Sequence, residues 1–208
     1  TDSYIALSDI AYENGDIDKA ISYLDSGSKL VVNNEFKIRK ARYARDKNDY
    51  ETALATLNEI IPENEDLEFL VSREIFIIYL EQEDYLKAIS HGGVLIEKMF
   101  DSIGVDDLVL AEACYNVAIS NRFVGYELYN SVLETLNSAT EDKEQIQSAI
   151  NNAEKAVEYL GVAKERFYDA SSFNPEDINS TGYAKELNKI INQLEDLFIP
   201  SLKESLEK

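Results

Sequence analysis

"NGDIDKAISYL" at residues 14–24 carries a pattern that returns twice, as "KNDYETALATL" (47–57) and "QEDYLKAISHG" (82–92). Each copy has an acid (Asp16, Asp49, Asp84), then an aliphatic or aromatic residue (Ile17, Tyr50, Tyr85), two more residues and an alanine (Ala20, Ala53, Ala88). The first two acids lie 33 residues apart and the last two 35. A period near 34 marks stacked supersecondary units.

Each phrase is flanked by helical patterns. Tyr4, Leu7, Ile10 and Ala11 precede the first copy, and Ile17, Ala20, Ile21 and Leu24 follow it. Steps of three and four residues predict buried helix faces on both sides. The phrase itself supplies the turn. Gly15 or Asn48 leaves the helical region at low cost. The following Asp caps the next helix through a free backbone N–H and suits its positive end. Ile17, Tyr50 and Tyr85 pack back over the turn, and the alanines let two helices approach closely. A lone hairpin cannot bury both its faces, so the units must stack.

On these residues the chain resembles the tetratricopeptide repeat family. Tyr4, Leu7 and Ser8 stand where that motif has its aromatic, leucine and glycine, and Gly15, Asp16, Ala20 and Leu24 continue the match. The third unit matches with Ile75, Tyr79, Asp84, Tyr85 and Ala88. The second fits at Ala41, Ala44, Asp49, Tyr50, Ala53 and Leu57, but carries Lys37 and Lys40 at usually apolar positions. A fourth unit opens with Cys114–Ala118, then departs, because "FVGYELYNSVLETL" (123–136) lacks the turn phrase. The fold class expected is all-α: a right-handed solenoid of helix–turn–helix repeats over 1–138 (about 1–34, 35–66, 67–103 and 104–138), then a helical hairpin over 139–208.

That C-terminal part reads differently. Residues 141–172 have no breaker except Gly161, and Ile146, Ile150, Ala153, Val157, Leu160 and Phe167 form a heptad-like seam. "SSFNPEDINSTG" (171–182) ends the helix. A last helix carries Tyr183, Leu187, Ile190, Leu194 and Leu197 on one face, and Pro200 is expected to kink or break it. The hairpin either caps the open end of the array or forms a homodimer through these C-terminal helices.

Composition excludes several function classes. The formal charge is −20, from 40 acids against 20 bases, so the surface repels nucleic acid and anionic membrane. A single cysteine, Cys114, rules out an intrachain disulfide and argues for a small core residue. The longest strictly apolar run is "IFIIYL" (75–80), far short of the roughly 20 residues of a membrane span. The chain starts at Thr1 without methionine. The compartment expected is therefore cytoplasmic or, if a signal segment was removed, periplasmic or otherwise extracytoplasmic. His91 has no partnered nucleophile in view. Asn14, Asp16 and Asp18 alternate as in a calcium loop, but lack its glycine and terminal glutamate. No metal site, cofactor or catalytic residue is expected.

One charge feature stands apart. "KIRKARYARDK" (37–47) holds six of the 20 bases. The resemblance implies a non-catalytic scaffold or adaptor with a concave groove, lined by the first helices of the repeats, that holds a protein or peptide. In that register Arg42 and Arg45 point into the groove with Arg73 and Arg122, to receive an acidic segment. Tyr12, Ile77 and Tyr115 are the groove residues if the cations prove to be a solvated face paired with acids such as Asp9 and Glu13. The alternative function is an accessory solute- or small-anion-binding subunit of an envelope transport or assembly system.

Overall fold

The computed structural model describes residues 2–102 and 104–207. These form two compact units, Thr1–Glu83 and Asp84–Lys208, and the described residues hold ten α-helices and one π turn, without strands.

The first unit contains α1 (Asp2–Glu13), α2 (Ile17–Ser28), α3 (Asn34–Asp46), α4 (Tyr50–Asn58) and α5 (Glu65–Glu81). α1 and α2 form one helix–turn–helix repeat and α3 and α4 the next. Their turns are built as the repeated phrase requires. Gly15 and Asn48 take positive φ (78° and 60°). The next residue's N–H reaches back to a helix carbonyl, Asp16 to Ala11 at 2.9 Å and Asp49 to Ala44 at 2.9 Å. This is the Schellman closure of a helix end. Asp16 then accepts from the Lys19 N–H at 3.1 Å and Asp49 from the Thr52 N–H at 3.2 Å.

The phrase at 82–92 is made the same way. Glu83 sits at φ 56° and Asp84 accepts from the Lys87 N–H at 3.3 Å. A glutamate in the left-handed region costs roughly 1–2 kcal/mol. We expect Glu83→Gly to raise the thermal midpoint, by about 0.5–1 kcal/mol of stability after glycine's own entropy loss. A lower midpoint would show that Glu83 earns its place by contacts.

Ala20, Ala53 and Ala88 are completely buried, as the close-approach reading requires. We expect Ala53→Leu to cost about 1–3 kcal/mol by overpacking. An unchanged denaturation midpoint would put Ala53 away from the crossing. Leu7 and Ile10 depart from the expectation: they are 42% and 56% exposed, and Ser8 and Ala11 supply the buried face of α1. The sequence pattern marked one broad apolar stripe. The tertiary packing uses only its edge, because α2 and α3 cover one side of α1. α3 joins two cores. Phe36 and Tyr43 pack with Ala11, Ala20 and Leu24, while Ile38, Ala41 and Ala44 pack with Ala53, Leu57, Val71 and Ile78.

The second unit contains α6 (Tyr85–Asp101), α7 (Asp107–Ser138), α8 (Lys143–Phe173), α9 (Ile178–Gln193), a π turn (Leu194–Phe198) and α10 (Ile199–Glu207). The residues expected as a fourth hairpin do not turn. α7 runs unbroken for 32 residues. No residue within 123–136 takes positive φ, so the missing phrase means a continuous helix. α8 runs back along α7, and α9 to α10 run back along α8, as Asn152–Ser131, Lys164–Asn188 and Lys203–Glu154 bonds record.

The α8 seam is more regular than the sequence reading made it. Ile146, Ala153, Leu160 and Phe167 occupy one buried heptad position, and Ala149, Ala156, Ala163 and Ala170 the other. On α7, Ala118, Gly125 and Val132 are buried at the same seven-residue step. Small residues on both sides bring the backbones close. A Cβ at Gly125 would lie 2.5 Å from Leu160 Cδ2 and 2.7 Å from its Cγ. Leu160 is fully buried and has nowhere to move. We expect Gly125→Ala to lose about 1–3 kcal/mol despite its better helix propensity. A gain in thermal midpoint would refute this packing. The seam is occupied within its own chain, against α7, α9 and α10.

Pro200 does not end the last helix. A proline has no N–H to give and its ring crowds the carbonyl four residues back. The π turn directly before it widens the helix, with the Ile199 N–H bonded to Leu194 O, and the helix continues to Glu207.

Candidate functional site

The first helices of the first unit, α1, α3 and α5, share a face joined by side-chain bonds. Between α1 and α3, Ser8 donates to the Tyr43 hydroxyl at 3.2 Å, Arg39 pairs with Asp9, and Tyr12 donates to Asp46. The Tyr12 and Tyr43 rings stack at 4.6 Å with 16° between planes. Between α3 and α5, Arg42 donates through Nε and Nη2 to Glu74 Oε1 at 2.9 and 2.7 Å. Arg45 reaches the other oxygen at 3.1 Å, and also approaches Glu81 at 3.4 Å and Asp46 at 3.2 Å.

Glu74 is therefore held by two guanidinium groups. It is 3% exposed, while the Arg42 and Arg45 side chains are 35% and 17% exposed. No buried side-chain polar atom among the described residues lacks a partner. The bond to Asp46 holds the Tyr12 hydroxyl proton above the ordinary phenol range, with burial adding to it. Burial pushes the Glu81 carboxyl up, against the pull of Arg45.

The remaining cations of 37–47 are also engaged: Lys37 with Glu59, Lys40 with Asp25 and Lys47 with Asp18. Sequence reasoning found the cations but missed Glu74 and Asp46, whose isolated carboxylates carry no local pattern. The 29- to 32-residue spacing of Arg42 and Arg45 from Glu74 is close to one repeat period and was the available signal.

Arg73 and Ile77 are half-buried on α5. Arg122 and Tyr115 belong to the second unit. The Arg122 guanidinium lies 4.6 Å from the Tyr183 ring and 5.1 Å from the Tyr126 ring. Tyr115 packs edge-on to Phe167 at 5.6 Å. Cys114 is buried, and burial pushes its thiol up to about 12. It is thus a protonated core residue, not a nucleophile. Among the described residues no cluster of His, Cys, Asp and Glu is arranged to hold a metal, and no helix is long and apolar enough to cross a membrane.

No family model matches the chain, and no curated protein matches it. Solved structures do. MamA (41 to the end) from Desulfovibrio magneticus RS-1 is 15% identical, covering 94% of each chain with a TM-score of 0.47. The Cut9–Hcn1 hetero-tetramer of the APC/C is 14% identical, covering 88% of this chain and 35% of that one, with a TM-score of 0.47. The TPR2AB domain of yeast Sti1, in a complex with pHSP90, is 18% identical, covering 93% and 98%, with a TM-score of 0.42.

Proposed function

We infer that this chain is a non-catalytic scaffold that binds a protein or peptide segment on the face shared by α1, α3 and α5. The observation that carries this reading is the tie between three successive first helices, through Tyr12–Asp46, Arg45–Asp46 and the Arg42–Glu74–Arg45 bridge. Such a face is rigid before a partner arrives, so little ordering cost is added on binding. It presents the Tyr12 ring, 38% exposed and stacked on the buried Tyr43, beside charged edges.

An acidic segment of the partner would meet the outer edges of Arg42, Arg45 and Arg73. Guanidinium groups take carboxylates in a two-bond geometry. Binding then weakens with salt, over a Debye length of about 8 Å near physiological strength. Because each of the six cations of 37–47 already has a carboxylate partner, an acidic segment shares Arg42 and Arg45 with Glu74, as a small anion would also have to.

The test is a titration of the partner captured with the intact chain. Arg42→Gln with Arg73→Gln should weaken it strongly, and Lys164→Gln with Arg166→Gln should not. Equal binding by both double variants would remove the cations from the site and leave Tyr12 and Ile77 to carry it.

A further inference from the structure

We propose that the outer face of α1, around Leu7 and Ile10, seats a helix–turn–helix unit of a partner protein, placed against α1 as the α1–α2 hairpin is placed against α3. The repeat register carries this. Counting 33 residues on from Ser3, Leu7 and Ile10 gives Phe36, Lys40 and Tyr43 of α3, and a further 35 gives Val71, Ile75 and Ile78 of α5. On α3 and α5 these positions meet the preceding hairpin. Phe36 and Tyr43 pack with Ala11, Ala20 and Leu24, Lys40 pairs with Asp25, and Val71 and Ile78 pack with Ala53 and Leu57. Tyr43 is thereby 4% exposed and Ile78 1%, whereas Ile10 at the same place is 56% exposed. The face of α1 therefore continues the stacking interface of the array, and units of this kind bury their apolar faces on one another. Its residues differ from those of the α1–α3–α5 face, so either reading can fail alone.

The two filled junctions specify what fits the open one. Phe36 sits over Gly27, where a Cβ would lie 2.7 Å from the ring Cζ. At the next junction the smaller Val71 shares its core with Ile60, the counterpart of Gly27 by the same 33-residue count. Large thus meets small and medium meets medium, as close packing requires. On α1 the first position is only Ser3, so the arriving hairpin needs a bulky apolar residue at that counterpart. Leu7 stands where α3 has Lys40, so the counterpart of Asp25 must be apolar as well. A carboxylate there would lose its water and gain no partner. Asp2 and Glu13 are exposed and share one edge of the face, which suits a partner with bases on its flank.

Other occupants fit worse. In a second copy of this chain the grooves of the α1–α2 and α3–α4 hairpins are already filled by α3 and α5. Pairing two α1 faces would join chains of formal charge −20, each with Asp2 and Glu13 at the contact edge. A single helix offers no groove between two helices to take Leu7 and Ile10.

The test is a titration of the isotopically labelled full chain, read by backbone amide shifts. The probe is a synthetic hairpin that copies residues 2–28, stapled by one disulfide and shown to be helical by circular dichroism. It carries Asp25→Leu and Gly27→Leu in its groove, and Leu7→Lys and Ile10→Lys on its rear face to stop it stacking on itself. Saturable shifts centred on residues 3–14 of the chain are expected. Ile10→Glu in the chain alters an exposed side chain and leaves the fold in place. It should weaken the probe by at least about tenfold, from the lost burial of one aliphatic side chain. A probe that keeps Asp25 and Gly27 should also bind at least about tenfold more weakly. Absence of saturable binding, equal binding of the two probes, or binding untouched by Ile10→Glu would each overturn the proposal. So would sedimentation of the chain alone as a dimer that Ile10→Glu dissociates, since the occupant would then be a second copy. Arg42→Gln with Arg73→Gln should leave the probe's affinity unchanged, and a loss there would overturn the separation of this seat from the α1–α3–α5 face.

Discussion

Phe167→Ala is expected to destabilise the second unit by about 3–5 kcal/mol, the largest single effect in the molecule. Phe167 is fully buried in the cluster that joins α7, α8 and α9. Its ring meets Tyr115 edge-on at 5.6 Å and Tyr183 at 5.2 Å. Its backbone neighbours along the heptad seam are Leu160 and Ala163, which are also fully buried. Removing the ring leaves a cavity that three long helices cannot collapse into without losing their register. Chemical denaturation followed through Tyr115 and Tyr183 ring signals would measure it. Phe167→Leu should lose far less, because it keeps most of the volume. A loss below about 1 kcal/mol for Phe167→Ala would mean that the seam tolerates a void, contrary to close packing.

Glu74→Ala is expected to cost about 2–3 kcal/mol in the first unit. Breaking a buried pair costs more than the pair was worth, because a charge is left uncompensated. Here the buried member is the one removed, and the two arginines left behind are partly exposed. Arg45 also retains Asp46 and Glu81. The loss therefore falls short of the full penalty for a buried orphan. Glu74→Met should be milder, since apolar volume replaces the carboxylate stem. Thermal melts of both variants at low and high salt would check the ranking. If Glu74→Ala melts with the parent, the bridge between α3 and α5 contributes nothing and the rigidity invoked for binding is lost with it.

The turns were legible because their chemistry is local. Gly15 and Asn48 have the conformational freedom the turn needs, and Asp16, Asp49 and Asp84 lie three residues before the N–H they cap. The alanines at the crossings were legible for the same reason, since they recur at one offset from those turns. The cations of 37–47 were legible as a cluster, and Asp9 as one of their partners, but the other partners were not. Asp25, Glu59 and Glu74 come from other segments, and only the stacking of units brings them near.

The sequence alone thus determined an all-α chain, the hairpin turns and their spacing, and the start and end of the long α8. These follow from propensity, capping and steps of three to seven residues, which act within one or two helical turns. Tertiary structure decided the rest. It made 107–138 one helix, carried the last helix through Pro200 by a π turn, left Leu7 exposed, and set Arg42 and Arg45 on Glu74. Each of these depends on which surfaces meet across long separations, and burial and charge pairing are settled only when those surfaces come together.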